Sequence, residues 1–151
     1  MEMSLKDKFS AQLKEAMKSR DSVRLGCLRM IISAVKNAEI EKRGELDEAE
    51  TMKVLTKLAK QRSESIEMYR KGGRDELVQK ETAELEIVKS FLPEPLSDEE
   101  LAKLVEDAIA EVEASEPKDM GKVMKAIGPK VTGRADGKKV SDAVKSKLLQ
   151  S

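Results

Sequence analysis

Apolar residues recur every three to four positions along most of the chain, and charged residues fill the positions between them. This spacing collects the apolar side chains on one face of a helix, so it predicts a succession of amphipathic α-helices. The predicted inward faces begin, in chain order, at Leu5, Val23, Leu55, Leu77, Leu101, Met120 and Val140. We therefore expect an all-α fold.

The prolines of Pro93-Glu94-Pro95 interrupt the helical pattern, because proline has no N–H group and disfavours helical geometry in the residue before it. We place a domain boundary there. The expected architecture is an N-terminal helical bundle at residues 1–93, followed by a small C-terminal three-helix domain at residues 97–151. Ser4, Asp21, Asp47 and Ser97 are placed to cap helix N-termini.

The second predicted helix, which follows Asp21, is apolar on most of its circumference. A helix of that kind is expected to be buried on most sides. We therefore predict a central, buried helix, in which Gly26 lets a neighbouring helix approach closely.

Residues 119–139 predict a helix, a glycine-containing loop and the start of a second helix. Gly128-Pro129 is expected to end the first helix. In the loop, Gly133 and Gly137 can adopt positive φ or allow close backbone approach. The polar residues around this apolar stripe are almost all basic, which makes the segment the strongest functional signal in the sequence.

Charge is distributed unevenly, although the whole chain is neutral with 29 Lys/Arg and 29 Asp/Glu. Residues 117–151 carry nine Lys/Arg against three Asp/Glu, whereas residues 44–116 carry ten against twenty. Residues 1–43 carry ten against six. Both ends are thus basic and the middle is acidic, so a strong electrostatic asymmetry is expected.

The chain contains no histidine, which excludes Ser-His-Asp and Cys-His catalysis and nearly every zinc site. We expect no catalytic residue, metal or cofactor. Cys27 is the only cysteine, so no internal disulfide forms, and a buried, inert thiol is expected. With neither a secretory signal nor a membrane-spanning apolar run in the sequence, we expect no membrane association and a cytoplasmic location.

The basic segment admits two interpretations. Lysine-rich helix surfaces are often only solvated, whereas lysines beside a glycine loop can also bind phosphate groups. The loop does not match a nucleotide-binding P-loop. Because the chain has one Tyr, two Phe and no Trp, it offers no platform for stacking single-stranded bases. A nucleic-acid partner would therefore be a folded RNA, held by its shape and phosphates.

The chain resembles the GatB/YqeY family, as a small YqeY-like protein, over essentially its whole length. The resemblance lies in four blocks, which are Val23 to Met30 with Asn37-Ala38-Glu39-Ile40, Ala59 to Arg74, Phe91 to Ser97, and Asp119 to Met124 with Gly133 to Gly137. It implies a helical bundle followed by a three-helix domain similar to the tail of the B subunit of the tRNA-dependent amidotransferase. That tail is implicated in holding tRNA, while the chemistry lies in a larger region that has no counterpart in this chain.

The resemblance and the basic segment together predict a non-catalytic protein that binds tRNA or another folded RNA, or associates with a tRNA-modifying or aminoacylation enzyme. The predicted RNA-facing residues are Lys122, Lys125, Lys130, Gly133, Arg134, Lys138 and Lys139. One alternative is a protein–protein interaction module that uses the acidic middle and basic ends. Another is an accessory of the glutamine-dependent tRNA amidotransferase, a carbon–nitrogen ligase with glutamine as amido-N-donor, a label that we interpret as inherited from the family.

Overall fold

A computed structural model describes residues 3–150 of the chain. Seven α-helices and one short 3-10 helix, with no β-strand in this range, confirm the all-α fold. No helix of residues 3–150 is both long and apolar enough to cross a membrane. The chain divides between Pro93 and Glu94 into two compact parts, here called the N-terminal unit and the C-terminal unit. Residues 1, 2 and 151, the outer bounds of the two predicted domains, lie outside the described residues.

The N-terminal unit contains four helices, α1 (Leu5–Ser19), α2 (Ser22–Lys42), α3 (Glu48–Lys71) and α4 (Asp75–Lys89). The caps predicted for the first three helices are confirmed. The Ser4 hydroxyl and the Asp21 carboxylate each accept a hydrogen bond of 3.1 Å from a first-turn N–H group. Asp47 and Glu50 form a reciprocal capping box at the start of α3. These bonds satisfy N–H groups that have no partner within the helix.

Side chains from all four helices fill one core in the N-terminal unit. Phe9 of α1 and Phe91, just after α4, meet edge to face with ring centroids 4.9 Å apart. Such a pair contributes roughly 0.5–1.5 kcal/mol beyond the burial of its surface. The contact therefore ties the two ends of the unit together. The remaining buried members are Leu5, Ala16, Cys27, Leu28, Ile31, Val35, Leu46, Leu55, Leu58 and Val88.

The expectation that α2 is buried on most sides is wrong. Its inward face is buried, but Val23 is 51% exposed and Ile40 is 75% exposed. The expectation for Gly26 is wrong as well, because a Cβ atom built there would meet nothing within 4 Å. Helices α1, α3 and α4 pack against only part of the circumference of α2. Its apolar residues extend beyond that part, so some of them remain on the surface.

The C-terminal unit contains α5 (Asp98–Glu111), a 3-10 helix (Pro117–Asp119), α6 (Met120–Val131) and α7 (Gly137–Leu149). Ser97 and Glu100 form the predicted capping box at the start of α5. The three helices share a second core, separate from the first. Its buried members are Leu96, Leu101, Val105, Ala108, Val123, Ile127, Val131, Val140, Val144 and Leu148.

Pro129 does not end α6, contrary to the expectation from the sequence, because the helix continues to Val131. Two features accommodate the proline. Gly128 has no Cβ atom to collide with the proline ring. Beyond the proline, Thr132 bonds to the Gly128 carbonyl through its N–H at 3.1 Å and its hydroxyl at 2.7 Å. The extra turn places Val131 in the core.

Candidate nucleic-acid interface

Helix α6 presents its lysines to solvent, because its apolar stripe faces the core. Val123 and Ile127 are fully buried, whereas Lys122 and Lys125 are exposed on the opposite side. Residues three apart on a helix are surface neighbours, so the two side chains leave the helix at adjacent points. Neither forms an ion pair within residues 3–150. The pKa of Asp119 is lowered mainly by hydrogen bonds from two backbone N–H groups, and the charge of Lys122 adds to this effect.

The loop between α6 and α7 holds Arg134 against the segment that leads into α5. Gly133 adopts φ 78°, which confirms the positive φ expected for a glycine in this loop, whereas Gly137 is the first residue of α7. Arg134 donates from Nε to the Glu94 carbonyl at 3.0 Å. Its own carbonyl accepts from the Leu96 N–H at 2.9 Å. These two bonds give Arg134 an internal role in the C-terminal unit.

Helix α7 has the same two-sided arrangement as α6. Val140 and Val144 are buried, and Lys138 and Lys145 are exposed on the opposite face. Lys145 is not among the residues predicted to face RNA. It follows Lys138 by two helical turns and so returns to the same face, a relation that the helical period alone predicts. Neither side chain forms an ion pair in the described part of the chain.

Carboxylates of α5 pair with the other cations of α6, α7 and the loop between them. Lys130, Arg134 and Lys139, all predicted to face RNA, belong to this paired group. The four pairs are Lys130–Glu111 at 3.5 Å, Arg134–Glu100 at 3.8 Å, Lys139–Asp98 at 2.8 Å and Lys147–Glu106 at 2.9 Å. The structure thus divides the predicted residues into a paired set and an outward set, which consists of Lys122, Lys125 and Lys138.

These pairs alter the electrostatics expected for the basic segment. The hydrogen bond from Lys139 lowers the pKa of Asp98, and the bond from Lys147 lowers the pKa of Glu106. Residues 94–151 hold ten Lys/Arg and twelve Asp/Glu, so the C-terminal unit carries a net charge of −2. Much of the acidic middle seen in the sequence is α5, packed beside the basic helices.

Helix α5 is part of this site, although none of its residues is among those predicted from the sequence. The signal was present, because the helix carries six Asp/Glu and one Lys and directly precedes a segment rich in lysine. Neighbouring helices of opposite charge pack favourably, and short connections make sequential helices neighbours. The individual partners could not be assigned, since they depend on how the helices are rotated against each other.

A second polar cluster lies in the N-terminal unit. Arg62 of α3 is 18% exposed and pairs with two carboxylates of α4, Glu84 at 3.3 Å and Glu81 at 3.8 Å. The Cys27 thiol lies beside this cluster and donates to the Glu84 carbonyl at 3.7 Å. Burial, and secondarily the charge of Glu84, raises the pKa of Cys27 to about 11. The thiol is therefore protonated near neutral pH, which supports the inert cysteine expected from the sequence.

Several yeast proteins resemble the chain, all of them named altered inheritance of mitochondria protein 41, mitochondrial. The protein from Lachancea thermotolerans is 37% identical over 108 residues, which are 70% of this chain and 58% of the relative. The protein from Candida glabrata is 33% identical over 109 residues, or 70% and 60%. That from Saccharomyces cerevisiae is 37% identical over 93 residues, or 60% and 50%. The matched chain thus spans 50% to 60% of the length of these relatives.

The cytoplasmic location expected from the sequence is contradicted by these matches, because the relatives are mitochondrial proteins by name. The expectation relied on a single cysteine and on the lack of a secretory signal. Neither property distinguishes the cytoplasm from the interior of a mitochondrion, since disulfides are rare wherever thiols are kept reduced.

The family match covers almost the whole chain. A family profile described as Yqey-like protein matches residues 6–148, and so includes every helix of both units apart from the ends of α1 and α7. It confirms the family resemblance. The chain belongs to the family of YqeY-like proteins.

Proposed function

We propose that the C-terminal unit binds folded RNA, with tRNA as the first candidate, through the outward lysines of α6 and α7. One observation carries the proposal. Lys122, Lys125 and Lys138 are exposed and form no ion pair within residues 3–150, although neighbouring cations of the same segment are paired with α5. Their ammonium groups can therefore bind phosphates without first breaking an ion pair.

The chemistry of this unit favours a folded RNA over a single strand. All three aromatic residues of the chain, Phe9, Tyr69 and Phe91, belong to the N-terminal unit, so the C-terminal unit has no ring on which a base can stack. Recognition by lysines alone acts on the phosphate backbone and on its arrangement in space. The similarity to the tRNA-holding tail of the amidotransferase B subunit supports the same partner.

The proposed role is to hold RNA, without a chemical step. A protein partner for the acidic middle is less well supported, because four carboxylates of α5 are engaged by cations of the same unit. We therefore put forward a single function.

Binding of the full chain to bulk tRNA across a salt series tests the proposal. Each phosphate contact contributes roughly −0.7 to −0.9 to the slope of log affinity against log salt. Charge reversal of the outward lysines, as Lys122→Glu, Lys125→Glu and Lys138→Glu together, is expected to weaken binding and to flatten the slope by roughly 2 to 3.

A matched control makes the same change in net charge in the N-terminal unit, as Lys53→Glu, Lys57→Glu and Lys80→Glu. These three lysines are exposed and form no ion pair within the range described. The control should reduce affinity only slightly. Equal losses in the two triple variants would mean that tRNA responds to overall charge alone, and the proposed interface would be rejected.

A further inference from the structure

Given the proposed RNA binding, we propose that α5 is a built-in competitor for RNA. Its carboxylates occupy cations that the sequence places at the interface, and so set how many phosphates the C-terminal unit contacts. The outward lysines form the open part of the interface. The paired cations become available only when a ligand displaces α5 carboxylates.

The competitor acts along the full length of α5. Asp98, its first residue, pairs with Lys139 of α7, and Glu111, its last residue, pairs with Lys130 of α6. A helix of 14 residues is roughly 20 Å long. The carboxylates therefore engage α6 and α7 at two well-separated points, so that no single substitution releases all the cations.

The pairs are weak enough to exchange. Side-chain exposure is 53% for Lys139 and 86% for Asp98, and it is 46% for Lys130 and 61% for Glu111. Exposed ion pairs of this kind alter an equilibrium by about fivefold at most. A ligand with closely spaced phosphates, such as a folded RNA, offers several replacements at once, whereas a mononucleotide offers few. The competitor thereby favours dense polyanions over small phosphate ligands.

Carboxylates on the same helix provide a matched comparison. In the release variant, Asp98→Asn and Glu111→Gln remove two pairing carboxylates. In the control variant, Glu99→Gln and Asp107→Asn remove two exposed carboxylates that form no ion pair within residues 3–150. Both variants change the net charge equally, so any difference between them measures the freed lysines. Each is made in the full chain and titrated with bulk tRNA across a salt series.

The release variant should bind tRNA about two- to fivefold more tightly per freed cation than the control, with a slope steeper by roughly 0.7 to 0.9 per cation. Adding Lys130→Gln and Lys139→Gln to both variants should abolish this difference. Identical affinities and slopes for the release and control variants would overturn the proposal that α5 competes with RNA. An unaltered chain that binds no tRNA would instead overturn the proposed function, so the two failures are distinguishable.

Discussion

At the scale of single residues, two glycines inside helices differ in their surroundings. Gly26 lies on the exposed side of α2 with open space around it. Gly128 also has open space around it apart from its chain neighbours, but it directly precedes a proline inside α6, and a proline ring crowds the Cβ atom of the residue before it. Only the second glycine is favoured by its backbone surroundings.

Gly26→Ala is expected to stabilise the protein by roughly 0.5–1 kcal/mol, because alanine loses less conformational freedom in a helix and nothing lies near its methyl group. Urea unfolding followed by circular dichroism measures the change. Gly128→Ala serves as the comparison and should gain less or lose stability. Destabilisation by Gly26→Ala would mean that α2 is closely packed at this position.

At the scale of the helices, local signals predicted most of what is observed. N-terminal capping residues and apolar stripes located the helix starts, because both depend on residues within a few positions of each other. The rule that proline ends a helix fails at Pro129, because its effect depends on Gly128 and on a final turn held by Thr132. The pairs between α5 and its neighbours lie more than 15 residues apart in sequence, and no local pattern specifies such partners.

The pairs made by α5 should give the C-terminal unit a stability that depends on pH. The folded-state pKa values of Asp98 and Glu106 are lowered from their ordinary values of 3.8 and 4.5. Their contribution is therefore present above those values and lost as the pH falls through the folded-state pKa. Lys139→Gln should reduce stability slightly at pH 7 and by a smaller amount near pH 3, below the ordinary pKa of Asp98. Urea unfolding at both pH values tests this expectation, with the unpaired Lys125→Gln as control; a deficit of the same size at pH 3 would contradict it.

At the scale of the whole molecule, the two units are separate in core and nearly balanced in charge. The two core clusters share no residue. The N-terminal unit has 19 Lys/Arg and 17 Asp/Glu, and the C-terminal unit has a net charge of −2. The large local excesses of positive or negative charge along the sequence are therefore balanced mostly within each unit.

Because the two cores are separate, we expect a destabilising substitution in one unit to leave the stability of the other unchanged. The single cysteine, Cys27, allows this to be measured. Cys27 is 2% exposed in the N-terminal unit, so it reacts with a thiol reagent only when that unit opens. Ile31→Ala should destabilise the N-terminal core by about 2–5 kcal/mol and speed labelling at least about tenfold. Ile127→Ala removes the same atoms from the C-terminal core and should leave the labelling rate unchanged. Equal acceleration by both variants would show that the units unfold together.

The order of the helices also matters while the chain is being synthesised. Translation adds roughly 5–20 residues per second, so α5 is synthesised about two seconds or more before α7 is complete. Each lysine of α6 and α7 that pairs with α5 thus emerges after its carboxylate partner. When these lysines emerge, the nascent chain therefore already carries their acidic partners, and each lysine can pair within its own chain.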